Sequence, residues 1–101
     1  MKLVAIMSLE AYSGRLEKLY ADHKVPVFSE FDIRGFRLED TAIDKMDWFG
    51  HPKPPLYSTL TFAFVPDEKA GELLDAIEGV NQDLDTSHPI RAFQMDVERS
   101  V

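Results

Sequence analysis

The residues of this chain whose types and spacing bear on chemistry fall in three places: around His51, around Gly35 and around His88. His51 sits between Gly50 and Pro52, a few residues after Asp44 and Asp47. Imidazole and carboxylate are competent ligands for zinc, nickel or copper, so Asp47 and His51 are the candidate metal ligands. No H-x-H or similar spacing accompanies His51, and the alternative is a solvated loop residue. His88 precedes Pro89 just ahead of the last alternating segment, where it either meets a ligand or orders a turn. His23 stands near a helix end and complements its dipole. Arg34 and Arg37 flank Gly35-Phe36. A glycine at a strand end lets a planar ligand approach the backbone, and a nearby guanidinium pairs with an anion; the same residues also read as an edge glycine beside solvated arginines. Glu30 and Asp32 alternate with Arg34 and favour ion pairing over acid–base catalysis. With no Ser/His/Asp grouping in recognisable context, no phosphate loop and no dense metal-ligand spacing, the sequence offers no enzyme.

The stretch "RGFRLEDTAIDKMDWFGHPKPPLYS", Arg34 to Ser58, holds the only tryptophan. Its middle, residues 37–55, is longer than connections inside compact domains usually are, which marks it for function or disorder. Within it "DTAIDKMDWFG" has the makings of a short helix, capped at Asp40 or Thr41 and stopped at Gly50. Ile43, Met46 or Asp47, and Trp48 with Phe49 would then form a tethered apolar knob for docking a partner, Trp and Phe being interface-anchoring types; packing back onto the chain's own domain is the competing reading. The "HPKPP" run stiffens the return.

These residues need elements to position them. "KLVAIMS" is apolar on both faces and reads as a central strand. Leu9, Tyr12, Leu16, Leu19 and Tyr20 recur at helical steps, ending near "DHKVP", where Pro26 disfavours helical geometry at Val25. "VPVFSEFDIRGF" alternates from Val25, with Val25, Val27, Ser29, Phe31 and Ile33 on one face. "LYSTLTFAFVP" sets Leu56, Leu60, Phe62 and Phe64 against Tyr57, Thr59, Thr61, Ala63 and Val65, and Asp67 follows as a plausible N-cap. Ala70, Leu73, Leu74, Ile77 and Val80 form a second helical stripe, and Phe93, Met95 and Val97 share one face of a last strand. The order strand, helix, strand, strand, helix, strand is the α+β, ferredoxin-like βαββαβ pattern, a four-stranded antiparallel sheet with both helices on one face and a long loop between strands two and three. The uncovered face must carry one side or the other of the third strand, together with apolar groups of the first. A face of that kind wants covering, so the sequence predicts association through the open side of the sheet.

At 101 residues the chain reads as one domain, residues 1–101, with 45% hydrophobic and 29% charged residues. A net charge of −7 and the absence of any Lys/Arg run argue against nucleic acid. There is no cysteine, which excludes disulfides and thiolate chemistry. No stretch approaches a membrane span, and "MKLVAIMSLE" lacks the features of a signal peptide, so the expected location is cytoplasmic.

The opening "MKLVAI" strand, "IRGF" closing the second strand before a long excursion, and "PIRAFQMDVERSV" at the end together resemble the PII signal-transduction superfamily. The similarity covers both halves of the chain. It implies a homotrimer with clefts between subunits, a small effector in those clefts, adenine nucleotide or divalent metal, and a long loop that docks on a target such as a membrane transporter. Carried onto this sequence, the ligand-binding residues are Gly35, Phe36, Arg37, His88 and Arg91, and the partner-binding loop carries Asp47, Trp48 and Phe49. The chain departs from the family at "NQDLDTSHP", Asn81 to Pro89, which has two aspartates and no glycine or lysine where the family's glycine-rich turn cradles phosphates. It looks closer to divergent PII-like proteins, some of which serve transporters including heavy-metal efflux systems. The alternative is a trimeric divalent-metal-binding protein resembling the CutA type, with His51 and Asp47 as ligands, with or without His88. A ferredoxin-like enzyme of the heme- or polyketide-processing sort is a third class, without a visible site.

Overall fold

The computed structural model describes residues 1–36, 56–84 and 87–101. Strand β1 (Lys2–Leu9) runs through a 3₁₀ turn (Glu10–Tyr12) into helix α1 (Ser13–Asp22). Strands β2 (Ser29–Gly35) and β3 (Leu56–Val65) follow, then helix α2 (Asp67–Asp83) and strand β4 (Arg91–Asp96). The four strands form one sheet in the order β2-β3-β1-β4, every neighbouring pair antiparallel. This is the expected βαββαβ arrangement, with β1 inside the sheet because it is apolar on both faces.

One face of the sheet is covered by both helices. Val4 and Ile6 of β1 and Ala63 and Val65 of β3 pack with Leu16, Leu19 and Tyr20 of α1, and with Ala70, Leu73 and Ile77 of α2, in a single buried cluster. The third strand thus turns its smaller side, Thr59, Thr61, Ala63 and Val65, toward the helices. Two buried hydroxyls on that side are paired: Thr61 with the Tyr20 phenol at 2.7 Å, and Thr59 with Ser8 at 3.3 Å. Among the described residues no buried side-chain polar atom lacks a partner, as a low-dielectric interior requires.

The opposite face carries the larger apolar groups. Register sets Leu3 between Phe64 and Met95, Ala5 between Phe62 and Phe93, and Met7 between Leu60 and Arg91. Phe31 of β2 stands opposite Leu60. Phe62 stacks on Phe31 at 5.7 Å and meets Phe64 edge-on at 6.0 Å, yet no described element covers them. Phe31 is 51% exposed, Phe64 56%, and Phe93 and Met95 49% each.

Three local expectations are corrected. β2 begins at Ser29 and not at Val25, because α1 ends in a Schellman motif that occupies the residues between. Val25 N–H donates to Tyr20 C=O at 2.9 Å and Lys24 N–H to Ala21 C=O at 3.1 Å, with Lys24 in the left-handed region at φ 59°. Val25 is consequently buried in the helix-side core, while Phe31 and Ser29 belong to the other face. Asp67 is not the N-cap of α2. Pro66 holds that position without a side-chain bond, and the Asp67 carboxylate instead accepts from the N-terminal amine at 2.8 Å. Val97 lies one residue beyond β4, where its N–H donates to Met1 C=O at 3.3 Å.

Candidate functional site

Gly35 ends β2 directly opposite Leu56, which opens β3. A Cβ placed at Gly35 would lie 3.9 Å from the Leu56 carbonyl oxygen, an ordinary contact, so the chain's own packing does not demand glycine there. Its lack of a side chain leaves the β2 end bare toward solvent. Phe36, the next residue, is 65% exposed. The Arg34 guanidinium stands 5.8 Å from the centre of its ring, within the range of a cation–π contact. Arg34 shares the helix side of the sheet with Asp32, since the two pair in register with Tyr57 and Thr59.

The other predicted contacts lie across the sheet. Arg91 opens β4 opposite Met7 and is exposed, as is His88 in the bend before it. Three inter-strand spacings of about 4.8 Å separate the β2 and β4 edges, about 14 Å in all. Both groups nevertheless sit toward the same end of the sheet, where β2 ends, β1 ends, β3 begins and β4 begins. Within one chain, then, Gly35 and Phe36 are not brought into contact with His88 and Arg91; the two groups lie at opposite edges, toward the same end. Arg37, Asp47, Trp48, Phe49 and His51 lie outside the described residues. Among the described residues there is no group of three or more His, Cys, Asp or Glu arranged to hold a metal.

Arg91 lines one groove, and Arg34, next to Gly35, lines another. Beside β4, a groove of about 560 Å³ runs between α2 and the strand, lined by Leu74, Ile77, Glu78 and Asn81 of α2, by Met7, and by Ile90 to Phe93. At the β2 end, a smaller one of about 350 Å³ is lined by Glu10, Asp32, Ile33, Arg34, Tyr57 and Ser58. The first is largely apolar with Arg91 at its rim, which suits a flat, partly apolar ligand bearing an anionic group. Glu78 in its wall disfavours a ligand of high negative charge.

Sequence reasoning missed Asn81. Its side chain donates from Nδ2 to Ile90 C=O and accepts at Oδ1 from Ile90 N–H, both at 2.8 Å. The available signal was an asparagine in the last turn of a helix shortly ahead of a strand, a residue type that pairs with backbone. Met7, by pattern only a strand residue, lies in the groove wall because β4 begins opposite it at Arg91. Tyr57 and Glu10, in the second groove, were likewise not singled out.

No family model matches the chain, and no curated protein matches it by sequence. Its fold does match solved structures. CPII from Thiomonas intermedia K12, a nitrogen regulatory PII-like protein bound to ADP, AMP and bicarbonate, is similar with a TM-score of 0.63 at 16% identity, over 99% of this chain and 94% of that one. A protein from Thermus thermophilus described as PII-like signalling is similar with a TM-score of 0.65 at 18% identity, over 95% of this chain and 85% of that one. The chain has the PII-like fold over nearly its whole length. No helix among the described residues is long and apolar enough to cross a membrane.

Proposed function

We propose that the protein is a PII-like regulator that assembles as a homotrimer and senses a small effector, an adenine nucleotide, in clefts between subunits. The observation that carries this reading is the division of the site. Gly35 and Phe36 stand at one edge of the sheet and His88 and Arg91 at the other, toward the same end, so a neighbouring copy is the simplest way to close one half-site with the other. The uncovered face of Leu3, Met7, Leu60, Phe62, Phe64, Phe93 and Met95 supports such assembly, because an apolar patch of that extent wants a partner. The neighbour CPII, with which the chain shares its fold, is bound to ADP, AMP and bicarbonate.

Within the cleft, Phe36 offers a ring for the base, while Arg37 and Arg91 pair with the phosphate and His88 donates to it. The stretch from Asn81 to Pro89 has no glycine or lysine and includes Asp83, the last residue of α2, so AMP and ADP bind at least as tightly as ATP. Occupancy biases the loop of residues 37–55, and the loop, through Asp47, Trp48 and Phe49, acts on a partner protein such as a transporter. That coupling requires the effector to favour one loop state over another.

Calorimetry on the purified protein with AMP, ADP, ATP and a panel of divalent metals tests the effector. Saturable heat with AMP or ADP is expected, with Arg91→Ala weakening it about tenfold, as loss of a charge-assisted contact does. Heat with a metal and none with nucleotide would replace this reading with a metal-binding one centred on Asp47 and His51. The emission of Trp48, the only tryptophan, should shift on adding ADP if the loop responds.

A further inference from the structure

β4 joins the sheet at Arg91, and the residue before it has no partner in the ladder, since the register with β1 starts at Met7 opposite Arg91. Ile90 is nevertheless fixed. Its side chain is 2% exposed in the helix-side core, and both of its main-chain polar groups are bound by one side chain, the Asn81 carboxamide, at 2.8 Å each. The amide of Asn81 thus takes the place of a neighbouring strand. Only a carboxamide offers a donor and an acceptor side by side in that way; a carboxylate offers two acceptors, one of which would face the Ile90 carbonyl oxygen. Pro89, just before, has no N–H with which to anchor this stretch.

We propose that Asn81 is the positioning residue of the effector site. By gripping Ile90 it holds Arg91, one residue on, in the wall of the groove that Asn81 itself helps to line, and fixes the strand entry that His88, two residues back, belongs to. The inference rests on the effector reading above and deepens it, because Asn81 acts there through Ile90 and not by touching the effector. It also ties the site to α2, so that movement of His88 or Arg91 on binding is felt at the last turn of that helix.

The test is calorimetry with ADP on the full chain in four forms: unaltered, Asn81→Asp, Asn81→Ala and Tyr20→Phe. The last is a stability control, since the Tyr20 bond to Thr61 lies in the core and away from the groove. Asn81→Asp should bind ADP about tenfold or more weakly, the scale on which small misplacement of contact groups acts, and at least as weakly as Asn81→Ala. That ranking distinguishes a clamp from packing, because aspartate keeps the volume and turns the contact with the Ile90 carbonyl from attraction to repulsion, while alanine removes more atoms. Tyr20→Phe should melt lower and bind as the unaltered chain does. Asn81 variants that bind within twofold of the unaltered chain, or that weaken only as Tyr20→Phe does, overturn the proposal and leave the effector reading standing. An unaltered chain that binds neither ADP nor AMP overturns both. Should neither Asn81 variant fold, hydrogen exchange of the Ile90 amide in the unaltered chain decides: slowing on ADP addition supports the clamp's role in the site, and no change overturns it.

Discussion

At the scale of single residues, Tyr20 shows how a core position acquires a polar obligation. Its ring stacks on Phe28 at 4.3 Å, and its hydroxyl reaches Thr61, on a strand 41 residues later in the chain. Removing it by Tyr20→Phe leaves the Thr61 hydroxyl buried without that partner, and should cost about 1–2 kcal/mol in urea unfolding. Burial raises the Tyr20 phenol above its ordinary value of 10.0, and the bond to Thr61 offsets part of the rise. A folded-state value above the unfolded one means that this contribution is intact below pH 10.0 and is lost as the pH climbs through the raised value. The alkaline fall in melting temperature should therefore be shallower in Tyr20→Phe than in the unaltered chain. Lys24 makes the opposite case. It takes the left-handed position that ends α1, where glycine has no Cβ to strain, and Lys24→Gly should stabilise by about 1 kcal/mol, read as a higher urea midpoint.

At the scale of elements, α2 is held at both ends by contacts outside its own stripe. Its first residue, Asp67, binds the N-terminal amine, and that hydrogen bond holds its carboxyl below the usual range. Glu72, on the second turn, is lowered by its bond to Lys69 and then by His23 at the end of α1. A carboxyl with a lowered folded-state value contributes above its unfolded value and loses that contribution as the pH falls through the lowered one. Thermal stability should thus decline on acidification below the ordinary carboxylate range, and Glu72→Gln should flatten part of that decline in melts taken across the acid series. At the far end of the helix, Asn81 ties α2 to β4. The helical stripe from Ala70 to Val80 was legible because apolar residues recurred at helical steps. The tie was not, since the partner of Asn81 is a main-chain group whose position depends on the sheet.

At the scale of the whole molecule, the sheet separates a smaller, partly hydroxylated side that the helices cover from a larger aromatic side that they leave open. Placing Thr59, Thr61, Ala63 and Val65 inward lets α1 and α2 approach the sheet closely, and it leaves Phe62 and Phe64 outward. The assembly reading predicts that the unaltered protein sediments at three times the chain mass at micromolar concentration. The double substitution Phe64→Asp with Phe93→Asp, which sets carboxylates on β3 and β4 of that face, should give monomers. It should also abolish the heat of ADP binding, because the two half-sites are then no longer closed by a neighbour. A double variant that remains trimeric would place the interface elsewhere.

The sequence by itself determined the order of elements, the central place of β1 and both helical stripes, because period-two and helical repetition of apolar residues is a local property of the chain. It also marked Gly35, Phe36 and His88 by type and setting, and Arg91 through the family resemblance. Three things were decided only by tertiary structure. Either side of β3 was apolar enough to face the helices, and the choice rested on fit and on hydroxyl partners contributed by Tyr20 and Ser8. The start of β2 was displaced to Ser29 by the hydrogen bonds that finish α1. The candidate site was divided between opposite edges of the sheet by strand order, since which strands lie side by side depends on pairings between residues far apart in the chain.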